Sequence, residues 1–338
     1  MQSCDIIIPV WNQLEATKSC LDSIKKNTKY PYRLIIVDNA SEPDTQHYLE
    51  GFKKAEGASV QLIRNYKNLG FIKAVNQAMA SSRAPYLCLL NNDTIVTEGW
   101  LAEMVAVAET EKEIGVVNPS SNNLGQRPAG GQTIEAFAFG LKAMKGQFVE
   151  LGSAIGFCML IKREVIDRIG FFDEVYGMGN FEDTDFCRRA VKEGYRCVRA
   201  CASYVYHKEN SSFIKLKTYD EDFKRNKEIF EFRWGAPKRL AYIVDEYDKT
   251  ILMSMANEAV KLARLGNWVW YFTKDEIEVP RHSNIVLRNI GPEWFYPRVV
   301  FEVLKKKKKF NQIFVSGKGL GNILEKTAFL HKAAVKYY

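Results

Sequence analysis

Three clusters in this 338-residue chain carry side chains whose types and spacing could do chemistry. In Tyr86-Leu87-Cys88-Leu89-Leu90-Asn91-Asn92-Asp93-Thr94, an apolar run of strand length stops in polar side chains, which is how a buried strand delivers chemistry to a sheet edge. The Asp93 carboxylate could hold a divalent cation there, because a hard cation takes oxygen ligands; an ordinary Asn/Asp turn is the plain alternative. In Phe181-Glu182-Asp183-Thr184-Asp185, three acids fall within four positions at the start of a helix. The helix dipole favours acids there, but three exceed what it asks for. Adjacent carboxylates raise one another's pKa, which suits a group that accepts a proton near neutral pH. The third cluster is Tyr204-Val205-Tyr206-His207, and an isolated histidine of this kind is more often structural than functional.

The elements that must position these groups follow from the apolar pattern. Asp5 to Val10, Leu34 to Val37, Val60 to Ile63 and Tyr86 to Leu90 read as buried strands. Between them, Glu15 to Lys26, Thr45 to Lys54 and Ile72 to Ala80 read as helices, so the alternation predicts a mostly parallel α/β sheet. Pro9 ends ladder pairing in the first strand and turns the backbone out at Trp11 and Asn12. Leu34 to Val37 ends at Asp38-Asn39-Ala40-Ser41, groups that could meet a nucleobase edge or form an Asx turn. Gly70 and Gly156 leave room for close approach of backbone or ligand. Residues 119–132, rich in Ser, Asn, Gly and Pro, read as a loop of the lid or acceptor-contacting kind. A strand is expected at Tyr195 to Ala200, and a helix from Leu216 to Arg233 is expected to close the first domain.

The order of these signals over residues 1–235 resembles glycosyltransferase family 2, rhamnosyltransferase-like members included, whose fold is GT-A. That resemblance implies an inverting transfer from a nucleotide-sugar donor, UDP- or dTDP-linked, to a hydroxyl of a glycan, lipid-linked or protein acceptor, as in polysaccharide biosynthesis. It implies that the loop of Pro9, Trp11 and Asn12 receives the nucleoside, and that Asp38 and Ser41 bind the base or ribose. Asn68, Gly70, Phe71 and Asn76 match the family's next donor-binding pattern. Asn91-Asn92-Asp93 stands where the family has an acid at both ends, so one carboxylate replaces two. A Mn²⁺ or Mg²⁺ ion at Asp93 then leans on the diphosphate and on His207, where the family places a metal-binding histidine. Asp183 takes the general base's position, with Glu182 and Asp185 holding the acceptor or bracing the loop; Lys208, Ser211 and Ser212 could reach phosphate. Two rival readings are a sugar-phosphate nucleotidyltransferase, against which the first loop lacks a Gly-rich phosphate turn, and a non-catalytic nucleotide- or glycan-binding module with a degenerate site.

Composition, 46% hydrophobic and 26% charged, is that of a globular chain with a sizeable core. The net charge of +8 lies entirely beyond residue 235, where 18 Lys and Arg face 10 Asp and Glu. Residues 236–338 continue a β-α-β alternation, a small basic Rossmann-like domain that faintly resembles part of a GT-B unit, with a final helix expected at Ile323 to Lys336. Its run Lys305 to Lys309 reads as solvated surface or as a contact for anionic lipid or an acidic protein partner. Nucleic acid binding has charge in its favour and no motif. Seven cysteines without a CxxC or a zinc spacing argue against a disulfide framework. Met1 to Cys4 runs straight into the first strand and no apolar run approaches membrane length, so the expectation is a cytoplasmic protein without a leader, peripheral at a membrane's inner face as the alternative.

Overall fold

The computed structural model describes residues 3–208 and 219–338. The chain forms two compact units: Met1–Val149 with Ser153–Gly235, and Glu150–Gly152 with Ala236–Tyr338. The segment Glu150–Gly152 groups with the second unit although it lies far from the rest of it in sequence.

The first unit is built on β1 (Cys4–Val10), β2 (Tyr32–Asn39), β3 (Val60–Asn65), β4 (Tyr86–Leu90), β5 (Thr94–Val96), β6 (Ile114–Ser120), β7 (Phe148–Leu151), β8 (Cys158–Lys162) and β9 (Arg196–His207). The sheet order is β3-β2-β1-β4-β8-β6-β9-β5, with β7 paired to β9 off that path. β1 to β4 are mutually parallel, and helices Leu14–Asn27, Pro43–Glu56 and Phe71–Ser81 make the crossovers. Because helices cover both faces, the central strands are apolar on both: Ile6, Ile7, Ile8, Ile35, Ile36, Leu87 and Leu89 have no exposed surface. Each such side chain contributes roughly 1.5–3 kcal/mol of burial. Pro43 opens its helix at a position where the missing N–H costs nothing. Beyond β4 the sheet turns antiparallel, β4 pairing with β8 and β8 with β6. β9 is one strand of 12 residues running through to His207, where the sequence predicted a strand over Tyr195 to Ala200; its register shift against β6 at Pro119/Ser120 absorbs the irregular middle.

The second unit holds β10 (Arg239–Val244), β11 (Trp268–Thr273), β12 (Ile285–Asn289), β13 (Gln312–Val315) and β14 (Ala334–Tyr337), all parallel, in the order β12-β11-β10-β13-β14. Tyr242 is fully buried and stacks on Phe314 at 4.6 Å. The helix expected from Ile323 to Lys336 breaks up into Lys318–Lys326, Ala328–His331 and the strand β14. Lys332, at φ 59°, terminates the helical turn, and the ladder offered by β13 outweighs the helix propensity of Ala333 and Ala334. All seven cysteines are buried thiols, none joined in a disulfide.

Candidate active site

β4 delivers Asp93 to the sheet edge as its pattern predicts. The Asn91 N–H donates to Phe157 O (2.8 Å), the Thr94 hydroxyl donates to Asn91 O (2.8 Å), and Asn92 Nδ2 donates to Thr17 Oγ1 (2.9 Å), so the three-residue turn is pinned on both sides. Antiparallel pairing of β5 with β9 sets Thr94 opposite His207. In consequence Asp93 Oδ1 lies 3.0 Å from His207 Nε2, 114 residues away in sequence. The imidazole stacks on Phe157 at 5.2 Å and 14°, and its Nδ1 lies 2.6 Å from Asn123 Nδ2. Asn122 Oδ1 accepts the His207 N–H and Asn122 Nδ2 donates to His207 O, both at 2.8 Å. These clamps from residues 122 and 123 were not foreseen; the loop reading of 119–132 hid them, and two amides directly after a strand were the available signal.

A divalent cation fits this pair. The 3.0 Å between Oδ1 and Nε2 is about the edge of an octahedron with bonds of roughly 2.1 Å. No group of three or more His, Cys, Asp or Glu side chains suited to a metal occurs among the described residues, so a bound ligand must supply the remaining oxygens. Metal ligation through Nε2 places the ring proton on Nδ1, which Asn123 accepts once its amide is turned.

The second carboxylate comes from helix Glu182–Lys192. Asp183 Oδ2 accepts the Gly156 N–H (3.0 Å), and its Oδ1 accepts the Thr184 N–H (2.6 Å) and hydroxyl (3.1 Å). Gly156 directly precedes Phe157, against which His207 stacks, and Leu90 of β4 pairs with Cys158. Asp183 is thus tied to Gly156 by a hydrogen bond, and Asp93 to the next residue, Phe157, through His207 stacked on its ring. Burial raises the pKa of Asp183, partly offset by the hydrogen bonds it accepts. Glu182 is buried with Oε2 lacking a partner, and burial together with the Asp183 charge pushes its pKa up to about 8. Asp185 differs. It is fully buried and accepts from Tyr176 OH, Arg189 Nε, Arg233 Nη1 and Trp234 Nε1. Burial opposes its charge, but these donors outweigh that and lower its pKa. Of its two expected roles, only the brace fits. Asn180 and Phe181, at φ 72° and 73°, hold consecutive left-handed conformations before the helix. Phe181 is held by Phe223 (5.2 Å) and Phe230 (5.4 Å), and Asn226 Nδ2 donates to Tyr176 O and Gly179 O.

The donor-side loops form a connected frame. Asn12 N–H donates to Ser41 Oγ (2.9 Å) and Asn12 Oδ1 accepts the Glu42 N–H (2.8 Å), so the loops after β1 and β2 are tied together, with Pro9 and Trp11 partly exposed beside them. Asp38, expected against the base or ribose, has no exposed surface; its oxygens take the Ser41 N–H (2.9 Å) and Arg64 Nε (3.0 Å). It shapes the pocket rather than lining it. Asn68 Oδ1 accepts the Gly70 N–H and Asn39 Nδ2, while Asn39 Oδ1 accepts the Leu69 N–H. Gly70 is at φ 84°, a conformation that favours glycine, and a Cβ there would crowd Met178 Sδ at 3.0 Å. Phe71 follows, its ring near Gly156. Asn76, expected on the donor side, instead clips the Phe172 backbone with Nδ2 to O (2.9 Å) and Oδ1 from N–H (3.1 Å). Lys208 donates its N–H to Asp93 O, whereas Ser211 and Ser212 lie outside the described residues. Beside His207, a groove of about 530 Å³ is lined by Asn122, Arg127, Gln132, Tyr206 and Lys208.

Residues 5–170 match the family described as Glycosyl transferase family 2. "Uncharacterized protein y4gI" of Sinorhizobium fredii is 28% identical over 257 residues, which is 68% of this chain but only 27% of that protein. "Uncharacterized glycosyltransferase YwdF" of Bacillus subtilis is 28% identical over 211 residues, 60% of this chain and 72% of its own length. Among solved structures, GalNAc-T7 with UDP, GalNAc and Mn²⁺ superposes with a TM-score of 0.54 at 17% identity, over 68% of this chain and 48% of that one, a likeness of fold. With a GT-A-like sheet and this matched span, residues 5–170 form a glycosyltransferase family 2 domain.

Proposed function

We propose that the first unit transfers a sugar, with inversion, from a UDP- or dTDP-linked donor to a hydroxyl of a glycan, lipid-linked or protein acceptor. One observation carries this reading: Asp93 with His207, and Asp183, flank the same two backbone residues, Gly156 and Phe157. The loops of Trp11, Asn12 and Ser41 hold the nucleoside, kept in shape by Asp38 and Arg64. Asp93 and His207 hold Mn²⁺ or Mg²⁺, which supplies charge neutralisation for the departing diphosphate. The bound Mn²⁺ and UDP of GalNAc-T7 support that assignment by analogy. Asp183 takes the acceptor's hydroxyl proton as its oxygen bonds to the anomeric carbon and the bond to the diphosphate oxygen breaks. The raised pKa of Asp183 makes it a stronger base than a free aspartate. Arg127, Gln132 and Lys208 in the groove beside His207 are placed to meet an anionic part of either substrate.

The test is a panel of UDP-, dTDP- and GDP-sugars, followed by thermal shift and product release with and without Mn²⁺. A metal-dependent shift with a pyrimidine donor, and turnover lost in Asp183→Asn, is the expected result. Binding without turnover by the unaltered chain favours the non-catalytic module, the reading that Asn91 in place of an acid invites.

A further inference from the structure

The helix Phe295–Lys305 has two unlike faces. Phe295, Val299 and Val303 fill the core of the second unit. On the outer side Phe301 is 63% exposed and shares one stripe with Arg298 and Lys305 by their three- and four-residue spacing, and Trp294, 75% exposed, stands just before the helix's first residue. The short helix Ala328–His331 packs beside it and adds Phe329, 75% exposed, and Leu330, 47% exposed. Lys306 to Lys309 continue the stripe's end. Lys305 Nζ lies 5.2 Å from the Phe301 ring and Lys306 Nζ 5.6 Å from the Trp270 ring. Against these cations, the only acids between residues 290 and 311 are Glu293 and Glu302, and Glu302 is paired with Lys305.

We propose that this face docks the second unit on an anionic bilayer surface. A merely solvated lysine run accounts for the charges and leaves four large apolar side chains in water without a reason. An acidic protein surface would satisfy the lysines and leave the same side chains unmet. The boundary of an anionic bilayer satisfies both, since headgroup phosphates meet Lys and Arg while Trp, Phe and Leu enter the acyl margin. No helix among the described residues is long and apolar enough to cross a membrane, and the contact proposed is peripheral. The inference is independent of the transfer reaction.

Co-sedimentation of the full chain with vesicles tests it. Expected is binding to vesicles of equal parts phosphatidylglycerol and phosphatidylcholine, and none to phosphatidylcholine alone. Replacing Phe301 and Phe329 by Ser lowers partitioning at least tenfold, and replacing Lys305 to Lys309 by Gln lowers it about a hundredfold or more. Melting temperature and donor-induced thermal shift stay as in the unaltered chain, which separates docking from folding and from the active site. The proposal fails if anionic vesicles bind no better than neutral ones, or if the Phe variant binds as well as the unaltered chain. It also fails if single-stranded DNA displaces the vesicles and its binding is lost with the same phenylalanines, which marks a nucleic-acid surface.

Discussion

The carboxyl-terminal edges of the two sheets invite comparison, because both end apolar parallel strands in acids and the second is closed by the protein's own hydrogen bonds. In the first unit, Asp93 and Asp183 are held by neighbours on one side and converge on Gly156-Phe157. In the second, the strand order reverses between β10 and β13, the place where open α/β sheets take ligands, and the helix there opens with Gly317 as its N-cap and Lys318-Gly319-Leu320-Gly321 as its first turn. That edge is filled by the protein itself. Asp245 Oδ1 accepts the Gly317 N–H (2.8 Å) and the Ser316 hydroxyl (3.2 Å), and Oδ2 accepts Tyr296 OH (3.2 Å). A Cβ on Gly317 would lie 2.5 Å from Asp245 Oδ2, and one on Gly321 would run into the Tyr337 ring. The glycines serve the chain's own packing, and a carboxylate occupies the helix start that a phosphate would need. Strand order and a glycine-rich turn are therefore insufficient for a nucleotide site; the donors must also be left unmet.

Exchanging the carboxylates' fates breaks or sharpens this contrast. The largest effect is expected for Asp183→Asn, a loss of about 10²–10⁴-fold in kcat with the melting temperature preserved, read by initial rates at saturating donor. Retention of a tenth of the activity would assign the proton to another group. His207→Ala and Asn123→Ala come next, each weakening Mn²⁺ dependence roughly 10–100-fold, measured as the metal concentration for half-maximal donor-induced thermal shift. Asp185→Ala removes the shared acceptor of Tyr176, Arg189, Arg233 and Trp234 and costs about 1–3 kcal/mol in urea unfolding. Asp245→Ala leaves the donors of Gly317, Ser316 and Tyr296 unmet, costing about 1–3 kcal/mol with kcat unchanged; a loss of turnover would mean the second edge is not merely structural.

The remaining prediction concerns pH. Glu182 has a folded pKa of about 8, above its unfolded value of 4.5, so between those values the folded state keeps a proton that the unfolded state has released. Stability from this group is complete below pH 4.5 and declines as pH rises to about 8. Glu182→Gln should flatten that decline, and parallel pH curves for the two proteins would remove Glu182 from the account.

Much of the site was legible because parallel-strand chemistry is local. An apolar run ending in Asn91-Asn92-Asp93, or acids crowding a helix start, needs only sequence to be noticed. Asp38 and Asn76 carried equally good local signals, yet turned inward to Arg64 and to the Phe172 backbone. Asn122 and Asn123 had almost no local signal and hold His207 across 85 and 84 residues.

What the sequence determined by itself is the alternation of buried strands and helices and the residue types at each strand end, since periodicity of burial is written residue by residue. Which of those ends face a common cleft was decided only by tertiary structure. The antiparallel pairings of β4 with β8 and β5 with β9 set the neighbours of Asp93, and the packing of residues far apart in the chain set which polar groups remained free for a ligand. A side chain's type is local, but whether its hydrogen bonds are already satisfied is a property of the whole fold.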